Sequence, residues 1–518
     1  MANHVNGFWR HGDQFRGCFS RVGLGRVKRL VFTTTCIFFF FFLLATVLVH
    51  LMNVLIIQRN PFPQMISSSR SSTTKHLPRI ENPLNSSHLG LRQNHPDNYS
   101  SVFEPDGLST KTCPNYFRWI HNDLQHWKNS GITKNMIERG KLSAELRLVI
   151  VNSELFMEKF GKPYQTRDLF TLWGILQLLQ FYPGMLPDLD LLLFTGDETM
   201  IKKMDYQEPN STSPPPLFHY CGEEDALDIV FPDWTFWGWP EVNVMPWEQM
   251  LSAIKNGSKR IKWEDRVPYA YWKGNPYVSL ERKDFWKCNL SNKYDWNVRL
   301  YEQNWSRENE EGFKHSKLED QCTHRYKIYV EGATWSVSEK YILACDSMTL
   351  MIKPRYYDFF SRNMVPMQHY WPIRNTSKCK DLKFAVEWGN NHPDKAQAIG
   401  KAGSRLIEEF LTMRNIYDYM FHLLNEYAKL LKFKPTIPSK ARRVCWETIT
   451  SSKKLKGPWK EYMEQSMVKS PSDKLPCALL PPYEPQALQA FLDTKEKITR
   501  QVEMWQIEYW KKLNDKRQ

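Results

Sequence analysis

A chain of 518 residues has room for a short amino-terminal annex and two domains of ordinary size. Its formal charge of +14 fits an anionic small ligand or acidic glycan as well as it fits a solvated basic surface. Nucleic acid is excluded as a partner by the compartment that the amino-terminal segments imply.

Residues 1–29 carry Arg10, Arg16, Arg21, Arg26, Lys28 and Arg29 against the single acid Asp13. The run Leu30–Val49 that follows has no charge, and the apolar character continues to Ile57. At about 1.5 Å per residue the uncharged run covers roughly 30 Å, the hydrocarbon thickness of a bilayer. It is longer than a secretory signal core and ends at no small-residue cleavage site. The basic flank precedes it, so residues 1–29 are expected in the cytosol, 30–57 as a type II anchor and the rest in the lumen. Residues 58–110, rich in Ser, Asn and Pro, read as a flexible stem. The last residues, Lys511–Gln518, carry no KDEL-type retrieval signal, and a Golgi address is expected.

Cys113, Cys221, Cys288, Cys322, Cys345, Cys379, Cys445 and Cys477 follow the anchor, with no CxxC and no zinc spacing among them. In an oxidising lumen they are expected in disulfides rather than around a metal. Sequons stand at Asn85, Asn98, Asn210, Asn256, Asn289, Asn304 and Asn375, in keeping with the secretory route.

From Glu145 onward, strand and helix patterns alternate. Strands are expected at Glu145–Asn152, Asp190–Phe194, Ala226–Phe231, Tyr269–Trp272, Asp295–Tyr301, Arg325–Val330 and Ser347–Ile352. A helix with Leu169, Leu172, Trp173, Leu176 and Leu179 on one face ends at Pro183-Gly184, and two or three more run from Lys380 to Leu431. Such alternation predicts an α/β fold of parallel sheets covered by helices, in two Rossmann-like halves with a cleft between them. Ligands in these folds bind beyond the carboxyl ends of strands, where Gly196-Asp197 and Gly332–Ser336 both lie.

The stretch Tyr329–Cys345, "YVEGATWSVSEKYILAC", runs from strand through a glycine turn into a helix. The turn's free N–H groups and the helix start suit a phosphate, although an ordinary strand–turn–helix has the same spacing. Asp188 and Asp190 form an Asp-x-Asp pair, but they precede their strand and so lie at the wrong end of the sheet for a metal–diphosphate site. The tryptophans of "PDWTFWGWPE" are read mainly as packing, with stacking on a sugar as the alternative.

Taken together, "RYKIYVEGATWSVSEKYILACDSMTLMI" and, upstream of it in this order, "PDWTFWGWPE" and "YWKGNP" resemble the family 90 glycosyltransferases, the CAP10-like proteins that include Rumi-type O-glucosyltransferases. The land-plant branch is the nearest in pattern, over roughly Cys113 to Tyr427. The resemblance implies a GT-B fold, with a Rossmann-like acceptor-side domain at 111–260, a UDP-sugar-binding domain at 261–413 and carboxyl-terminal helices at 414–518. It implies inverting transfer from UDP-glucose or UDP-xylose to a glycan or glycoprotein acceptor, with the UDP-sugar as co-substrate and no essential metal or other cofactor.

It further implies that Asp197 is the general base, a position where a strand-end Asp otherwise often caps a helix. The donor-binding set carried over is Lys273, Gly274, Asn275, Arg282, Gly332, Ala333, Thr334, Trp335, Ser336, Ser338 and Lys340, with Cys322 and Cys345 at the family's disulfide spacing. Ser338 stands where animal relatives have Arg, and Trp272-Lys273-Gly274 where they have Phe-Arg-Gly, which leaves the donor sugar open. The expected function is therefore a Golgi glycosyltransferase. The alternatives are a catalytically silent scaffold for other Golgi transferases and a lectin-like glycan binder.

Overall fold

The computed structural model describes residues 111–207, 212–450 and 456–515. The expected tail (1–29), anchor (30–57) and stem (58–110), with Asn85, Asn98 and Asn210, lie outside the described residues. Among those described, no helix is long and apolar enough to cross a membrane.

The first of two main sheets collects β1 (Leu146–Val151), β2 (Glu154–Lys159), β3 (Leu189–Leu193), β4 (Phe218–His219) and β6 (Ile229–Val230). They lie in the order β13-β2-β1-β3-β4-β6, where β13 (Arg442–Val444) is added from far along the chain. This sheet corrects the expectation of parallel pairing throughout: β1 runs antiparallel to both β2 and β3, and only β3, β4 and β6 are mutually parallel. The cause is local. Asn152 and Ser153 both adopt positive φ, 51° and 64°, and two such residues make the tight turn whose twist suits a hairpin. The chain therefore folds straight back from β1 into β2, and the crossover through the helix Arg167–Phe181 begins at β2 rather than at β1.

The second sheet is parallel in every pair, as expected. It orders β12-β10-β9-β7-β8, from Trp371–Ile373, Met348–Ile352, His324–Tyr329, Val267–Gly274 and Val298–Glu302. Every residue of β10 is buried, the mark of a strand covered on both faces. A short antiparallel ribbon joins the halves, pairing β5 (Gly222–Glu223) with β11 (Tyr356–Tyr357).

The core is divided in the same way. One apolar cluster extends from the first sheet through Trp234, Phe236, Trp237 and Trp247 to the helix Met413–Leu430. Gly174 belongs to that packing, because a Cβ there would sit 2.5 Å from the Trp237 ring. The other cluster lies between the second sheet and the helix Lys378–Asn391, and Val502 of the last helix, Pro485–Asp515, closes it. The chain after 413 thus serves both halves.

Cys322–Cys345 is bonded as the resemblance implied, and Cys113–Cys477 and Cys288–Cys379 are two further bridges. Cys221 and Cys445 are free thiols. The Asn289 side chain braces its neighbour strand, donating to Leu300 O and accepting from Leu300 N. Asn256 lies within the helix Trp247–Lys259, while Asn304 caps a helix by accepting from Arg307 N.

Asp190 is tied to Arg147 by two hydrogen bonds of 2.8 and 2.6 Å, both side chains buried in the first sheet, and Asp188 accepts from Asn152 N at the hairpin. The Asp-x-Asp pair is thus part of the scaffold. Removing one partner of a buried ion pair leaves the other charge uncompensated. Arg147→Met is expected to cost about 3–5 kcal/mol in urea unfolding, and Arg147→Met with Asp190→Leu to recover most of it; a single-variant loss below about 1 kcal/mol would show that the pair is not what holds β1 to β3.

Candidate active site

Two strand ends meet between the two sheets. From the first half, β3 runs out through Phe194 and Thr195 into Gly196 and Asp197. Gly196 is required by packing, because a Cβ would fall 2.3 Å from the Phe194 ring beneath it. Thr195 is pinned by Glu145, whose carboxylate accepts from both its N–H and its hydroxyl. No helix starts at Asp197; the next helical residue is Lys203, so the capping alternative falls away. The Asp197 carboxylate is 47% exposed and accepts from Arg167 Nη1 at 2.8 Å.

From the second half, β9 delivers Glu331–Ser336. The Gly332 N–H donates to Thr334 O at 2.8 Å, drawing the segment into a loop. The Thr334 hydroxyl then donates to the Asp197 backbone O at 2.7 Å. This bond places the two expected functional segments side by side. Ser336 N–H donates to the Tyr329 hydroxyl, and the Ser336 and Ser338 hydroxyls are 2.8 Å apart. Among the described residues, the N–H groups of Ala333 and Thr334 donate to no protein acceptor. Trp335 turns back into the first half, against Tyr220, His219 and Trp234.

Arg282 lies beneath this loop, 8% exposed. Its Nε donates to Glu331 O at 2.8 Å, Nη2 to Val330 O and Ser336 Oγ at 3.3 Å each, and Nη1 to Asn275 O at 3.4 Å. All four acceptors are neutral, and among the described residues no carboxylate pairs with it. Burial alone pushes its guanidinium down to about 10. A buried cation without a counter-charge is costly unless an anion is supplied. Burial likewise pushes the neighbouring Glu331 carboxyl up to about 7, which weakens the negative charge it sets against an anion at neutral pH. The helix after the loop, Ser338–Leu343, is only six residues long. The positive potential therefore comes chiefly from Arg282 rather than from the helix dipole.

Gly332 has no left-handed φ, and a Cβ on it would meet nothing nearer than 3.6 Å, with Arg282 Nη2 at 3.7 Å. Neither the turn nor the packing demands a glycine. A Cβ would be accommodated there in ordinary van der Waals contact, with the guanidinium as one of its neighbours.

Asn275, Arg282, Gly332, Ala333, Thr334, Ser336 and Ser338 are thus brought together around one loop, which Thr334 joins to Asp197. Two expected cations face elsewhere. The Lys340 ammonium is buried against Asp233 at 2.8 Å and over the Phe236 and Tyr341 rings, so its charge is already balanced. Lys273 donates to His315 O, in a separate hollow with Tyr271, Tyr301 and Arg307. Gly274 serves packing, since a Cβ would strike the Trp272 ring at 2.4 Å.

Sequence reading passed over Arg167 and Glu331. Arg167 had a detectable signal: it is the first residue of its helix, where the dipole favours acids and disfavours a cation.

Gly332→Glu separates a ligand role from a turn role. The added acid gives Arg282 the partner it lacks, so thermal stability is expected to hold or rise, while UDP-glucose binding falls more than about tenfold, or 1.4 kcal/mol. A loss of stability with binding intact would return Gly332 to an ordinary turn.

Comparison with known proteins bears on the same region. The family model "Glycosyl transferase family 90" matches residues 108–506. The chain is 26% identical to the O-glucosyltransferase rumi homolog of Aedes aegypti over 328 residues, 61% of this chain and 78% of that one. It is 26% identical to Protein O-glucosyltransferase 2 of Danio rerio over 345 residues, 64% and 67% of the two chains. It is 24% identical to Protein O-glucosyltransferase 1 of Homo sapiens over 355 residues, 64% and 84%. With the family model spanning most of the chain and both strand ends of the cleft, this protein belongs to glycosyltransferase family 90.

Proposed function

We propose that the protein is an inverting, UDP-sugar-dependent glycosyltransferase of GT-B architecture that transfers glucose or xylose to a hydroxyl of a glycan or protein. In this reading residues 111–260 form the acceptor-side domain, 261–413 the donor domain and 414–518 the helices that serve both. The observation that carries it is Arg282: a buried guanidinium with only neutral partners, under a loop with free N–H groups, one hydrogen bond away from Asp197. That arrangement suits a diphosphate on one side and a general base on the other.

The chemistry follows from the placement. Asp197 takes the proton of the acceptor hydroxyl as its oxygen attacks the anomeric carbon. The bond from that carbon to the diphosphate oxygen breaks on the opposite face, which inverts the configuration. Charge growing on the leaving UDP is met by Arg282 and by the Ala333 and Thr334 N–H groups. Fixed donors in a partly closed site need no reorganisation as that charge develops. The names of the relatives support glucose as the donor sugar and protein as the acceptor; the Golgi address and membrane anchor rest on residues 1–57. A silent scaffold has no use for a buried, unbalanced cation, and this cost weighs against that alternative.

UDP release from UDP-glucose and UDP-xylose, with the parent and Asp197→Asn, tests the reading. Turnover is expected with one donor and unchanged by a chelator. Asp197→Asn should lose about 10²–10⁴-fold in turnover with donor affinity kept. Turnover retained in Asp197→Asn would dismiss the base, and absence of release and of UDP binding would favour the scaffold.

A further inference from the structure

Asp197 is half exposed, and an exposed carboxylate on a loop has several rotamers open to it. The group that restricts it is Arg167. This guanidinium is 6% exposed. It lies over the Trp234 ring at 4.3 Å, the Tyr164 ring at 5.0 Å and the Trp239 ring at 5.9 Å. Its Nη1 donates to Asp197 Oδ1 at 2.8 Å and to Thr195 O at 3.2 Å. Its Nε is buried with no protein partner, and among the described residues Asp197 is the only carboxylate paired with it.

The walls of this box are themselves fixed. Trp239 Nε1 donates to Gln165 Oε1 at 2.7 Å, and Gln165 holds a positive φ of 54°. The Thr166 hydroxyl donates to Glu241 Oε1 at 2.7 Å, which ties the start of the Arg167 helix to the segment that carries Trp239. A cation at the first position of a helix opposes the dipole, so helix formation does not explain its presence. Packing does not demand it either, since an apolar side chain would fill a box of three aromatic rings without burying a charge.

We propose that Arg167 is the positioning residue of the reaction: gripped by Tyr164, Trp234 and Trp239, it holds one oxygen of Asp197 and leaves the other directed to the acceptor hydroxyl. The contact is single rather than a bidentate fork, and among the described residues Asp197 Oδ2 has no protein partner. One oxygen is therefore fixed while the other stays available to accept the proton. The proposal rests on Asp197 being the general base.

The test uses the full-length protein and reads UDP release from UDP-glucose and from UDP-xylose, comparing Arg167→Met, Arg167→Lys, Asp197→Asn and the double variant Arg167→Met/Asp197→Asn. Misplacing the base is expected to lower kcat about 10–100-fold in Arg167→Met with the UDP-sugar KM within about twofold. Arg167→Lys, which keeps the charge but not the planar fork, should recover most of that loss. The double variant should be no slower than Asp197→Asn alone, since the two residues act as one unit. Should Arg167→Met not fold, Arg167→Gln against Arg167→Lys makes the same comparison. An unchanged kcat in Arg167→Met overturns the proposal while leaving the base intact. A loss that follows thermal stability or donor KM, and that Lys does not rescue, reduces Arg167 to a structural residue and overturns it as well. If Asp197→Asn itself keeps turnover, the base assignment fails and the proposal fails with it.

Discussion

A guanidinium taken out of water must be answered by charge or by well-placed dipoles, and around Arg282 the protein supplies dipoles and the face of the Trp272 ring but no carboxylate. Three backbone carbonyls and one hydroxyl hold it at the carboxyl ends of β7 and β9. Such an arrangement sits higher in free energy than one with an acid partner, and a bound anion relieves it. The surroundings are consistent with that role. Gly332 sets no side chain against the guanidinium, the Glu331 carboxyl is pushed up by burial, and Lys340 is paired away so that it does not compete.

The halves of the molecule are arranged to make this site meet a carboxylate. The β5–β11 ribbon and the Thr334–Asp197 hydrogen bond tie the carboxyl end of β3 to the carboxyl end of β9. Trp335 extends the junction by packing into the first half. The disulfide Cys322–Cys345 brackets the β9 strand, the loop and the short helix, which limits how far the loop can drift from its strand. Each half thus contributes one element of the proposed site.

Much of this was legible in the sequence. The parallel sheet of the second half followed from the alternation of strand and helix patterns along the chain. The motif around Gly332 and the position of Asp197 came from family resemblance, because a glycine turn and a strand-end Asp are each too common to identify a site. Other features were not legible. The hairpin at Asn152-Ser153 lacks the Asn-Gly signal, so β2 was missed and the first sheet was expected to be parallel. Whether Arg282 was a solvated helix residue or a buried one depended on distant carbonyls of Val330 and Glu331. Lys340 was drawn into the donor set because it is close in sequence to the loop, whereas its partner Asp233 is more than a hundred positions away.

The central claim, that the buried Arg282 is the counter-charge for a nucleotide diphosphate, is tested most directly by calorimetry of UDP against the parent and Arg282→Met. The account predicts binding to the parent and a loss of more than about a hundredfold, near 2.8 kcal/mol, in a variant that remains folded and gains stability through removal of an unbalanced charge. Equal affinity in the two proteins would contradict it.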